Sequence, residues 1–252
     1  AKDIAHKSLA VNLSDIAAMG AKAKYFTLAL ALPKIDKSWL QEFSDSLKQL
    51  SMHYKVSLIG GDTTRGPLNI TITMFGIVEN SKAMKRSGAR PDDGVYVSGT
   101  IGDAGFCFWK LSNGLIPSNQ ELKRLNCPIP RVELGLVLKN LASACIDVSD
   151  GLEQDLSHIL KASSVGAIIE VEKIPISEAL LDHIKDSNDW SIPLCGGDDY
   201  ELCFTIPEGN EEVLKKASKS CNVNITRIGV VTEQLGLQIE GFDGPRKSYQ
   251  HF

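Results

Sequence analysis

The sequence predicts a two-domain α/β (α+β) chain, and three observations carry that prediction. Segments with alternating apolar residues interleave with segments of helical period. The turn-rich stretch RSGARPDDG, from Arg86 to Gly94, separates two regions of different pattern and places a boundary between residues 1–88 and 89–252. The 252 residues exceed the roughly 150 of an average domain and suffice for a sizeable core.

The elements follow in order. Over 8–19, Leu9, Leu13, Ile16 and Ala17 share a helical face, Ser8, Asn12 and Asp15 form the opposite stripe, and Gly20 ends the helix. A strand is expected over 24–32. Ser38 with Gln41 has the form of a capping box for a helix carrying Leu40, Phe43, Leu47 and Leu50. Strands are expected over 55–59 and 68–78, the second alternating at Ile70, Ile72 and Met74. After Gly94 come a strand, a Gly-rich turn (Gly99 to Ala104) opening a helix, a loop with Pro117, Pro128 and Pro130, a helix over 132–142 and a strand ending at Val148. Helix 152–162, strand 167–171, helix 177–184, strand 200–206, helix 211–221 and further strand complete the chain.

Composition excludes several classes. The net charge is −4 and no block of five like charges occurs, which argues against a general nucleic-acid binder. No apolar run approaches the roughly 20 residues that cross a bilayer, so no membrane association is expected. The opening AKDIAHKSLA has no secretory pattern, and the expected compartment is cytoplasmic. Cys107, Cys127, Cys145, Cys195, Cys203 and Cys221 form no CxxC pair and are expected to be reduced core residues.

Chemistry concentrates in acidic residues within Gly-rich segments, each read as a strand-end turn. These are Gly60-Gly61-Asp62-Thr63-Thr64-Arg65-Gly66, the Asp147-Val148-Ser149-Asp150-Gly151 stretch, and Gly196-Gly197-Asp198-Asp199-Tyr200-Glu201. Carboxylates in such segments suit Mg²⁺, which takes oxygen ligands and bridges them to phosphate. An acidic chain without a GxxxxGK[ST] loop meets a polyphosphate through such ions. Read singly, each piece has a plainer alternative. Asp150 also fits an acidic residue at a helix start, Asp62 a turn former, and Asp15 an exposed helix carboxylate. The Gly99 to Ala104 turn fits either a phosphate loop or a tight turn before a helix. Arg65, Arg86 and Arg131 also fit solvated positions.

Together the strings NLSDIAAMGA, GGDTTRG, RSGARPDDGVYVSGTIGDA, IDVSDGLEQDLSHI and GGDDYELCFT, ending with SYQHF, resemble the thiamine-monophosphate kinase family in order and approximate spacing. The resemblance implies the two-domain architecture of the aminoimidazole ribonucleotide synthetase superfamily, with an amino-terminal sheet domain that makes a homodimer and a carboxy-terminal α+β domain. It implies direct in-line transfer of the ATP γ-phosphoryl group to thiamine monophosphate, without a catalytic base or phosphoenzyme. By motif, Asp15, Asp62, Asp147 and Asp150 would hold several Mg²⁺ ions. Gly61, Asp62, Arg86 and Ser149 would meet ATP, and Asp198 and Tyr249 the thiamine substrate. Asp198 stands where the family usually has Glu. The resemblance also implies a segment ahead of the NLSD helix carrying further metal ligands and a substrate-contacting His, which these 252 residues lack. The expectation is therefore a piece of a longer kinase that by itself binds substrate poorly. Two alternatives remain at this point: another ATP-dependent synthetase of the superfamily, or a non-catalytic nucleotide-binding protein.

Overall fold

A computed structural model describes residues 1–79 and 82–245. The first helix, α1 (Lys2–Ala18), starts earlier than its apolar stripe suggests, and it buries Ala5, Leu9, Leu13 and Ala17. It is followed by β1 (Lys22–Leu32), α2 (Lys37–Tyr54), β2 (Ser57–Arg65) and β3 (Asn69–Ile77). These strands form a sheet of order β2-β1-β3, with β2 parallel and β3 antiparallel to β1. Helices α1 and α2 cover one face, closing Phe26, Phe43 and Leu47 into a core with Leu9 and Leu13. On the other face Tyr25, Phe75 and Ile77 are exposed, and every residue of the edge strand β2 is exposed.

Two expectations are corrected here. Helix α2 is capped by Asp36, not by a Ser38 capping box. The Asp36 carboxylate accepts from Ser38 N at 3.0 Å and Trp39 N at 3.1 Å, so the acid two residues earlier takes the first free amides. The GGDTTR string is strand, not a strand-end turn. It runs alongside β1 through Arg65, and Gly61 permits this because a Cβ there would lie 1.9 Å from Leu28 O.

The second sheet has the order β5-β7-β4-β8-β6-β9 and is antiparallel except for the β6/β9 pair. Its strands are β4 (Gly94–Ser98), β5 (Ala144–Asp147), β6 (Gly166–Glu170), β7 (Leu202–Ile206), β8 (Ile225–Thr232) and β9 (Gly236–Glu240). Helices α3 (Asp103–Ser112), α4 (Asn119–Asn126), α5 (Val132–Leu138), α6 (Leu152–Ser163), α7 (Glu178–Ser187), α8 (Ser191–Cys195) and α9 (Glu211–Cys221) surround it. The expected proline-containing loop holds α4, started by a true capping box of Ser118 and Glu121. The cysteines are all free, but only Cys107, Cys145 and Cys203 are buried; the other three are half-buried. Among the described residues no helix is long and apolar enough to cross a membrane.

Helix α1 belongs to both halves. Its end residues Ala17 and Ala18 pack with Leu134 and Leu138 of α5 and with Cys145 and Phe204 of the second sheet, while Leu9 and Leu13 pack on the first. This brings the polar stripe of α1 to the end of β5, where Asp147 stands.

Candidate phosphoryl-transfer site

Asp147 closes β5 and is 6% exposed. Burial pushes its carboxyl up to about 6, with the nearby Asp15 charge acting in the same direction and Ser14 and Arg86 against it. Asp15, on the exposed stripe of α1, is also raised by its surroundings and opposed by the Arg86 guanidinium. The structure thus brings Asp15, Asp147 and Arg86 together from α1, β5 and the segment between the sheets.

Beyond Asp147 the chain turns through Ser149 and Asp150, and the GGDDYE segment lies beside it. Asp198 N donates to Ser149 O and Tyr200 N to Val148 O, each at 2.9 Å. Gly197 is required at this crossing, since a Cβ would sit 2.2 Å from Ser149 O. Asp198 and Tyr200 both adopt positive φ, at 69° and 52°, a strained backbone that these bonds hold in place. The Asp198 carboxylate meets Lys7 Nζ of α1 at 2.9 Å and accepts from the Tyr200 hydroxyl at 2.9 Å. Burial, then the charges of Asp198, Asp147 and Asp15, push the Tyr200 phenol up. Ser149, Asp150, Gly197, Asp198 and Tyr200 line a cavity of about 650 Å³, faced from α3 by Ala104, Gly105 and Phe108.

Gly61 and Asp62 are not brought to this group. Asp62 pairs with Ala29 on β1, two positions along the strand from Thr27, so it belongs to the sheet face opposite the helices. Its Oδ1 accepts from Thr63 N at 2.8 Å. Tyr249 lies outside the described residues.

Residues 1–78 match the model of the AIR synthase related protein N-terminal domain, and residues 90–241 match that of the C-terminal domain. The thiamine-monophosphate kinase of Salmonella typhimurium is 46% identical over 264 residues, covering 99% of this chain and 80% of that protein. The chain belongs to the thiamine-monophosphate kinase family. The crystal structure of the family's enzyme from Stenotrophomonas maltophilia K279a superposes with a TM-score of 0.92 at 40% identity, covering 95% of this chain and 79% of that one. AaThiL complexed with AMPPCP and TMP superposes with a TM-score of 0.86 at 29% identity, covering 100% of this chain and 81% of that one.

For a member of the thiamine-monophosphate kinase family, the donor set is all hard oxygen. Among the described residues no three acidic, His or Cys groups converge into a ready-made cage. Burial, with the Asp15 charge adding to it, raises the Asp147 carboxyl, and a cation at this pair would oppose both. Phosphoryl transfer needs charge neutralisation and alignment, which Asp15, Asp147, Asp150 and Arg86 can supply.

Sequence reasoning missed three buried carboxylates that build the site. Asp155 accepts from Ser149 N and Asp150 N, each at 2.9 Å. Asp199 accepts from Gly102 N at 2.6 Å and Ala104 N at 3.4 Å, so the Gly99 to Ala104 turn spends its amides internally and is not an open phosphate loop. Glu201 accepts from Arg131 Nε at 2.6 Å and Ser98 Oγ at 2.6 Å, so Arg131 is not a solvated residue. The available signal was acids two to four residues beyond a glycine; the partners of Asp155 are near in sequence, but those of Asp199 and Glu201 lie far along the chain.

Burial, despite those two amides and Arg124, pushes Asp199 up to about 8. The folded state holds this proton more tightly than the unfolded chain, so the stability it contributes is complete below the ordinary value of 3.8 and is lost as pH rises through about 8. Without metal, thermal melting is therefore expected to fall between mildly acidic and alkaline pH. Asp199→Asn, uncharged throughout, is expected to flatten that slope; an unchanged slope in calorimetric melts refutes the assignment.

Proposed function

We propose that the protein transfers the γ-phosphoryl group of ATP directly to the phosphate of thiamine monophosphate, giving ADP and thiamine diphosphate. The observation that carries this reading is the meeting of Asp15, Asp147 and Arg86 just before the Ser149-Asp150 turn, which with Asp198 lines a cavity. Asp15, Asp147 and Asp150 would hold Mg²⁺, which screens the nucleotide phosphates from an acidic surface when bound, and Asp62, on the open sheet face, would reach such an ion from a partner copy. Arg86, Ser149, Gly61 and Asp62 serve ATP, while Asp198 and Tyr249 serve the thiamine end. The acceptor phosphate oxygen is already anionic, so no side chain has to remove a proton from it.

The same reading includes a homodimer. The open face of the β2-β1-β3 sheet leaves Tyr25, Phe75 and Ile77 uncovered, and a second copy is its fitting cover. Asp62 lies on that same face, so in the dimer it sits at the contact between copies. We further divide the chain at 88/89 and place it in the cytoplasm, in keeping with six free cysteines.

Full-length protein incubated with Mg²⁺, ATP and thiamine monophosphate is expected to yield equimolar ADP and thiamine diphosphate by chromatography. ADP without thiamine diphosphate, or neither product, overturns the reading. Sedimentation equilibrium at micromolar concentration is expected to give twice the chain mass, and a monomer there overturns the dimer.

A further inference from the structure

We propose that Asp155 is a positioning residue for the candidate metal and nucleotide turn. This inference rests on the functional reading above. Asp155 sits in the first turns of α6 and is 2% exposed. A single oxygen, Oδ2, accepts from both Ser149 N and Asp150 N at 2.9 Å, while Asp155 N donates to Gly151 O at 3.0 Å.

These bonds specify the turn almost completely. The two amides point inward to Asp155, and the Ser149 carbonyl is taken by Asp198 N at 2.9 Å. Consecutive amides at a tight turn would otherwise form a concave donor site for an anion. Here an internal carboxylate fills that role, and the turn's side chains, Ser149 and Asp150, line the cavity. The turn therefore meets phosphate through its side chains and the cation they hold, not through its backbone. Asp155 touches neither substrate nor cation; it sets where Asp150 stands.

The test is calorimetric titration of the full-length protein with a non-hydrolysable ATP analogue over a series of Mg²⁺ concentrations, alongside steady-state kinetics. Asp155→Ala is expected to raise the half-saturating Mg²⁺ concentration about tenfold while leaving the thiamine monophosphate KM within about twofold, the size of effect typical for residues that orient metal ligands. Because both bonds end on one oxygen, Asp155→Asn can supply them with its amide oxygen and is expected to recover most of that loss. Asp155→Glu keeps the charge but moves it by one methylene, and is expected to raise the Mg²⁺ requirement severalfold with a cooperative melt retained. A wild-type Mg²⁺ requirement in a folded Asp155→Ala or in Asp155→Glu overturns the proposal, as does an Asp155→Asn protein as defective as Asp155→Ala. If Asp155→Ala does not fold, the Asn and Glu variants decide. The analogue titration contains no thiamine monophosphate, so failure of the acceptor assignment leaves it intact.

Discussion

Asp147→Asn is expected to lower phosphoryl transfer on the order of a thousandfold while making the metal-free protein more stable. The first half follows from the role proposed for Asp147, beside Asp15 at the end of β5, in holding the cation that would neutralise the transferring phosphate. Removing one preorganised electrostatic contact of this kind typically costs about a hundred- to a thousandfold in rate. The second half follows from the burial that pushes Asp147 up to about 6. In the folded, metal-free protein the charge is unwelcome, and at neutral pH an amide of the same shape removes it. Stability that is complete below the unfolded value of 3.8 and lost as pH rises through about 6 is thus recovered by the substitution. The checks are kcat at saturating Mg²⁺ and both substrates, and melting in the presence of chelator. A variant that loses both activity and stability would mark Asp147 as a structural residue, and one with unchanged kcat removes it from the site.

The second large effect concerns the frame behind the site. Glu201 is 1% exposed, and its carboxylate is gripped by Arg131 through Nε at 2.6 Å and Nη2 at 2.5 Å, with Ser98 Oγ at 2.6 Å. Arg124 adds a longer contact at 3.5 Å while reaching Thr100 O at 2.9 Å. This network ties α4, the start of α5 and the end of β4 to β7. The Glu201 carbonyl also accepts from Val148 N at 2.8 Å, so the same residue sets the height of the Asp147 to Asp150 segment. Breaking a buried ion pair from one side leaves the other charge without a partner and costs about 3–5 kcal/mol. Glu201→Ala is accordingly expected to lower the unfolding free energy measured by urea denaturation by that amount. The double replacement Glu201→Leu with Arg131→Met is expected to recover much of the loss, because two apolar groups of similar volume need no counter-charge. A loss of less than about 1 kcal/mol for Glu201→Ala would instead place the pair among weak surface contacts.

Much of this protein was legible in its residues because the relevant signals are local. The apolar stripe Leu9, Leu13 and Ala17 marks α1, and its polar stripe correctly carries Asp15 outward. Alternation at Ile70, Ile72 and Met74 marks β3. The Asp147 to Asp150 string was readable as a strand end leading into a helix, and the order of the acidic strings pointed to the thiamine-monophosphate kinase family. Where competing local signals were close in strength, the reading slipped. Asp36 outcompetes Ser38 for the same amides, and the proline-rich neighbourhood of α4 hid a complete capping box.

The acidic strings by themselves pointed to ATP-dependent phosphoryl transfer and gave the order in which their parts occur, since residue type and spacing are written along the chain. They could not tell which carboxylates face the cavity and which are buried as struts. Asp199 and Gly102 are 97 residues apart, and Glu201 and Arg131 are 70 apart. Neighbouring acids in one string take opposite roles: Asp198 lines the cavity, while Asp199 and Glu201 point into the protein. Nor could the strings show that GGDTTR continues as a strand whose Asp62 faces away from α1. That depends on pairing with β1, and in a strand each step along the chain reverses the face a side chain occupies.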